Sequence, residues 1–458
     1  TCTGWITPVR ENVWLVGRPG HTPPKRTTGI KMKPMKTYQE RATAYDLEDA
    51  LSPFRRKFFD AGEQMIYLDG NSLGRLPLAT LEKSEQLLRE QWGGRLIRSW
   101  NEHWMDLPSK IAAKIAHIIG AGEDEVFVGD TTSINLYKLA FAALTADAAR
   151  KKILSDTLNF PTDQYVIQGL IKQHFPGHVF KVIESQDGLM THTRDLEPEL
   201  DDQTAFVTLS LVAYKSAYYY DMAGINALAH RHNSLVIWDL SHAAGAVPVR
   251  LNETGADMAV GCTYKYLNGG PGAPAFLYVR KDLQEKLANP IWAWFSHKKP
   301  FDFDPIYATA PGIQRFATST PSILSLAAIE PGLDLILEAG VEKLRAKSSR
   351  QSQFLLDMIR EYLVPLGFAI ASPPDVRQRG SHISIRHPEG YRINRAMIEP
   401  RDGAVSIIPD FRPPDNIRMG IAPLYNTFMD LYQCVLRMHD IVRHEKFKEY
   451  SKEKLTVT

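Results

Sequence analysis

The chain has 458 residues, 44% of them hydrophobic and 23% charged, and a net charge of +2. That length exceeds what one apolar core fills, so two closely packed domains are expected, and the balanced charge gives no support to binding of nucleic acid or a membrane surface. No stretch reaches the roughly eighteen apolar residues of a membrane span, and the cysteines Cys2, Cys262 and Cys434 are too scattered for a disulfide framework or a zinc cluster, which points to a reducing compartment, by default the cytoplasm.

Residues 1–38 are rich in Pro, Gly, Thr and Lys and lack the apolar core of a secretory signal; they read as an irregular N-terminal tail outside the fold. From 67 to 279, short β-branched apolar runs alternate with helical patterns, the signature of βαβ units and a mainly parallel sheet. The runs at 205–212, 235–240, 258–263 and 275–279 are expected strands, with a helix over 222–232 between the first two. A large α/β domain is expected over 39–315, its N-terminal segment contributing to a smaller domain. That α+β domain, 316–458, begins with amphipathic helices over 322–339 and 341–363, continues with a strand near 381–386 and closes with a helix over about 426–445. Ligands of open α/β sheets sit at the carboxyl ends of strands, so chemistry is sought just after the apolar runs.

Asp130-Thr131-Thr132-Ser133 precedes a helical pattern; it reads as an ordinary N-cap or, with Thr132 and Ser133 at a positive helix end, as a phosphate site. In Asn159-Phe160-Pro161-Thr162-Asp163, Phe160 is either core or a plate for a flat ring, with Asp163 within reach of the ring's edge. Asp239 ends an apolar run, with His242 three residues on. A buried carboxylate there needs a cation, so Asp239 either caps a turn or pairs with the protonated nitrogen of pyridoxal phosphate. Lys265 ends another apolar run, before Asn268-Gly269-Gly270-Pro271-Gly272. Lone lysines are usually solvated, but one at the mouth of a parallel sheet can lose enough basicity to act as a Schiff-base nucleophile.

Together with Tyr67-Leu68-Asp69-Gly70-Asn71-Ser72-Leu73-Gly74, Leu96-Ile97-Arg98-Ser99-Trp100 and the stretch from Asn416 to Asn426, these motifs resemble kynureninase, of the pyridoxal phosphate fold-type I (aspartate aminotransferase-like) enzymes. The resemblance runs from about Tyr67 to the C-terminus. It implies that Lys265 carries the cofactor as an aldimine, Asp239 pairs with the pyridine nitrogen, Phe160 stacks on the ring, and Asp163 and His242 help to place it. Thr132, Ser133, Ser210, Tyr264, Trp294 and Thr320 would complete the cofactor site, mostly around the phosphate and partly from a second subunit, so a homodimer is implied. Arg418 would hold the substrate α-carboxylate by its bidentate fork, Ser72 would lie in the substrate-side loop, and Tyr264 would be the proton donor. The implied reaction is hydrolytic cleavage of L-kynurenine or its 3-hydroxy form to anthranilate or 3-hydroxyanthranilate and L-alanine, a step of tryptophan catabolism toward NAD.

The sequence departs from the bacterial pattern Leu-Ser-His-Val-Asn-Tyr: Leu211 and Ala213 replace polar residues and Ala217 a glycine, while Ala293 and Ser296 also stand where glycine is usual. Such losses leave room for a related fold-type I enzyme acting on another β-substituted or γ-keto amino acid. A non-catalytic cofactor-binding descendant is disfavoured because it would need no proton-abstracting base, and in a cofactor-free α/β protein Lys265 would be solvated and Asp239 a cap.

Overall fold

A computed structural model of the chain describes residues 35–60, 62 and 65–454. Most of the expected tail, Cys2 included, lies outside the described residues. Helix Met35–Leu47 begins inside the segment expected to be irregular, because Tyr38 and Ala42 bury against the C-terminal part of the chain. The short strand β1 (Met65–Tyr67) follows.

Seven strands make the central sheet: β2 (Val126–Val128), β3 (Lys152–Asp156), β4 (Val179–Ile183), β5 (Thr204–Ser210), β6 (Leu235–Asp239), β7 (Met258–Gly261) and β8 (Phe276–Val279), in the order β2-β8-β7-β6-β5-β3-β4. The five strands from β4 to β7 in that order are parallel; β8 runs against both β7 and β2. Strands β5, β7 and β8 are buried along their whole length, which explains why they read as continuous apolar runs rather than alternating ones. Helices Thr132–Ala146 and Met222–Arg231 pack against this sheet, and Pro161–His174 against the first of them.

The C-terminal part contains β9 (Ala369–Ile370), β10 (His382–Arg386), β11 (Ser406–Ile408), β12 (Asp410–Arg412) and β13 (Asn416–Gly420). An antiparallel sheet runs β12-β13-β10-β9, while β11 pairs in parallel with β1. Tyr38, Ile66 and Leu68 share an apolar core with Phe354, Ile383, Ile417 and Phe428, so the start of the chain is built into its end. Helix Ile323–Ala339, which pattern alone groups with the C-terminal part, packs instead against Leu107–Ile119 and Leu78–Gln86. Its Gly332 lies where any Cβ would collide with the carbonyl oxygen of Leu267, so the helix backbone presses directly on the loop that follows β7.

Candidate active site

The ends of β5 and β6 lie side by side, Ser210 in register with Asp239. Asp239 is buried and its Oδ1 accepts the Ser241 N–H at 2.8 Å. Ser210 Oγ donates to Asn159 Oδ1 at 2.7 Å, and Asn159 Nδ2 donates to the Thr208 carbonyl at 3.3 Å. The same Asn159 oxygen accepts the Phe160 N–H at 2.9 Å, so the ring of Phe160 is held at the carboxyl edge of the sheet, edge-on to Tyr214 at 5.1 Å. Pro161 then starts a helix whose first turn carries Asp163.

Asp163 and Asp239 are two buried carboxylates with little to balance them. Asp163 Oδ2 has no hydrogen-bond partner among the described residues. Burial pushes the Asp163 carboxyl well above the usual range, the charge of Asp239 adds to this, and Lys265 opposes it. The ammonium of Lys265 lies 5.9 Å from the centre of the Phe160 ring and 5.7 Å from that of Tyr264, and makes no hydrogen bond or ion pair among the described residues. The loop carrying it is fixed from the other side, where the Gly74 N–H donates to the Tyr264 carbonyl at 2.8 Å and a Cβ on Gly74 would meet the Lys265 carbonyl oxygen. Burial, and then the neighbouring Cys262 thiol, push the Tyr264 phenol up, so it stays protonated. Burial pushes His242 well below the usual imidazole range, with Lys265 and Arg418 adding; its ring faces that of His382 at 5.8 Å.

At the helix starting with Thr132, Asp130 takes a left-handed φ of 53° and Thr131 Oγ1 accepts the Ile134 N–H at 3.4 Å. The backbone N–H groups of Thr132 and Ser133 have no partner among the described residues. Asp130 is held from behind: Lys138, with a fully buried side chain, pairs with its Oδ2 at 2.8 Å and donates to the Phe316 carbonyl at 2.7 Å, while Thr318 Oγ1 donates to Asp130 Oδ1 at 3.0 Å. Neither Trp294 nor Thr320 makes a hydrogen bond or ring contact with Lys265 among the described residues. Trp294 is 44% exposed and stacks on Phe295 at 5.1 Å, and exposed Thr320 lines a cleft of about 1090 Å³ together with Asp130, Thr131, Gly272 and Phe295.

Arg418, fully buried on β13, faces Asp410 across the antiparallel ladder. Its Nε donates to Asp410 Oδ1 at 2.8 Å, its Nη2 pairs with Asp410 Oδ2, and its Nη1 donates to the Tyr214 carbonyl at 2.5 Å. The side of the fork is thus occupied, and its Nη2 also reaches Ser72 Oγ at 3.3 Å. Ser72 in turn donates to Asp410 Oδ2 at 2.8 Å, and Arg412 pairs with the same oxygen at 2.8 Å.

Lys265, Tyr264, Phe160, Asp163, Ser210, Asp239 and His242 therefore converge around the ends of β5–β7, with Arg418 and Ser72 joined to them through Tyr214. Asp410, Arg412 and His382 were not among the residues singled out from sequence; a carboxylate eight residues from its arginine gives no signal until the hairpin register is known. Leu211 and Ala213 are buried in the core that also holds Trp238, which absorbs the change to apolar side chains there. Ala217 keeps a left-handed φ of 66°, the backbone that a glycine adopts without strain.

A family profile, the kynureninase C-terminal domain, matches residues 344–438. A kynureninase of Pseudomonas fluorescens is 40% identical over 404 residues, covering 87% of this chain and 94% of the relative. A kynureninase of Burkholderia mallei is 40% identical over 420 residues, covering 90% of this chain and 97% of the relative. Among solved structures, a cysteine desulfurase of Thermococcus onnurineus superposes with a TM-score of 0.73 at 16% identity, covering 85% of this chain and 98% of that one. The cystine C–S lyase C-DES superposes at 0.72 and 18% identity, over 83% and 98% of the two chains.

Proposed function

The chain belongs to the kynureninase family, and we propose that it hydrolyses the side-chain carbon–carbon bond of L-kynurenine or 3-hydroxykynurenine with pyridoxal phosphate as cofactor. The observation that carries this reading is the pairing of two buried carboxylates, one with an oxygen that has no hydrogen-bond partner among the described residues, beside a lysine that makes no hydrogen bond or ion pair among them. Such a group lacks one cation and one flat ligand, and a protonated pyridine ring carrying an aldehyde is both. Bound there, the cofactor supplies an electron sink for the pair left at the substrate α-carbon.

In this reading Asp239 holds the ring nitrogen protonated, Asp163 and His242 fix the ring edge, Phe160 covers one face, and the free N–H groups and hydroxyls of Thr132 and Ser133 take the phosphate. Lys265 Nζ is the attachment point and, once released, the base that removes the α-proton. Arg418 offers the end of its guanidinium to the α-carboxylate beside Ser72. Water adds its oxygen to the ketone carbon, which leaves as anthranilate, and the alanyl fragment takes a proton at its β-carbon; Tyr264, kept protonated by burial, is the donor. In this reading Trp294 and Thr320 serve a homodimer, a second copy covering the exposed aromatic residues Trp292, Trp294, Phe301 and Phe303 and so bringing these two residues to the partner's site. The buried free thiols of Cys262 and Cys434 suit the cytoplasm. Leu211 and Ala213 favour a second reading, turnover of another β-substituted or γ-keto amino acid.

Both are tested by scanning the absorbance of protein loaded with pyridoxal phosphate and then adding L-kynurenine. A visible-range band followed by anthranilate fluorescence is expected; a band without anthranilate would move the substrate to another amino acid, and no band would overturn the cofactor.

A further inference from the structure

The pocket behind Arg418 is balanced before any substrate arrives. Two guanidinium groups, Arg412 and Arg418, stand against two carboxylates, Asp410 and Asp69. Asp410 is saturated by both arginines and Ser72. Asp69 is not: its Oδ1 is buried without a hydrogen-bond partner among the described residues. Facing it are Asp410 and Arg412 on β12, Arg418 on β13, and three phenols, Tyr67 on β1, Tyr266 after β7 and Tyr425 before the closing helix. The phenols do not compensate it, since no hydroxyl of Tyr266, Tyr425 or Tyr67 donates to the Asp69 carboxylate among the described residues, and that of Tyr67 donates to the Leu73 carbonyl at 2.7 Å. An α-carboxylate at the end of the Arg418 fork makes a third negative charge on two cations beside the buried side chains of Arg418 and Asp410, and like charges crowded where solvation is poor resist being ionised together.

We propose that Asp69 gives up its negative charge to the substrate, taking one proton from solvent onto its carboxylate as the α-carboxylate docks on Arg418. The proposal rests on the reading of Arg418 as the carboxylate holder. Burial, with Asp410 adding and Ser72, Arg418 and Arg412 opposing, already pushes the Asp69 carboxyl up to about 7 in the free protein. The incoming charge raises it further. Affinity is therefore complete below the free-protein value and falls up to tenfold per pH unit between the free and bound values.

The test uses the cofactor-loaded enzyme. Calorimetric titration with L-alanine, which carries the same α-carboxylate, in two buffers of different ionisation enthalpy should show an uptake of about half a proton per site at pH 7, rising toward one at pH 8. Asp69→Asn should lose this uptake, and its KM for L-kynurenine should no longer climb above pH 7. Wild-type protein that binds L-alanine without uptake, or an Asp69→Asn enzyme that keeps the wild-type pH profile, would overturn the proposal; the calorimetry alone decides if the variant does not fold. Arg418→Lys separates the two readings, because a KM unchanged by it would remove the carboxylate from Arg418 itself.

Discussion

Lys138→Met tests whether the Asp130 corner is held as described. The side chain of Lys138 is fully buried, so methionine preserves most of the volume while removing the ammonium. What is lost is the pair with Asp130 at 2.8 Å, the bond to the Phe316 carbonyl at 2.7 Å and the contact with the Phe127 ring at 4.9 Å. Removing one partner of a buried ion pair costs about 3–5 kcal/mol. Asp130 keeps 21% of its side chain in solvent and retains Thr318, which trims that figure, whereas the abandoned Phe316 carbonyl adds about 1 kcal/mol. The expected loss is about 3–4 kcal/mol, read from the midpoint shift in urea unfolding of the cofactor-free protein. Adding Asp130→Asn should recover part of it by removing the stranded charge. A single variant within about 1 kcal/mol of wild type would refute the reasoning.

Lys265→Ala should abolish turnover of L-kynurenine and leave no protein-bound visible band after dialysis; normal turnover would sink the assignment. Asp410→Asn should raise KM for L-kynurenine about 30-fold or more, since losing one partner of a buried charge pair costs about 2 kcal/mol at least, and an unchanged KM would mean that Tyr214 and Ser72 suffice to place Arg418. Burial, then Arg418, lower His382 to about 3. Its neutral form is thus favoured by folding, and the stability it contributes is complete above pH ~6.5 and lost as pH falls toward 3. Acid unfolding of His382→Gln should accordingly be shallower in that window, and an identical curve would mean the imidazole is not held neutral.

Asp239 and Lys265 were legible because each ends an apolar run, and in a parallel sheet the ends of such runs are where backbone stops and ligand begins. The strands themselves fell within a few residues of expectation for the same reason. Direction was not legible: β8 has the same buried apolar pattern as β7 yet runs the other way. Nor was the partner of helix Ile323–Ala339, because an amphipathic pattern says that a face is covered and not by what. The pocket around Arg418 was hidden most deeply. Asp410 opposes Arg418 only through the register of a hairpin, and Asp69 gains its unusual environment from segments far away in the chain, β12, β13 and the stretches carrying Tyr266 and Tyr425, none of which changes its own sequence surroundings.

Strand β1 pairs with β11, and Ser72 meets Arg418 across a separation of 346 residues. On a ribosome this imposes an order. Strands β2 to β8 are complete once residue 279 has emerged and can form the sheet that presents Lys265, whereas β1 and Ser72 lack β11 and Arg418 until nearly the whole chain has been made. During that interval Ile66 and Leu68 lack the core they later share, making 65–72 a natural client for a chaperone. A truncation near the C-terminus would then be expected to leave a nascent protein able to meet its cofactor and unable to hold its substrate.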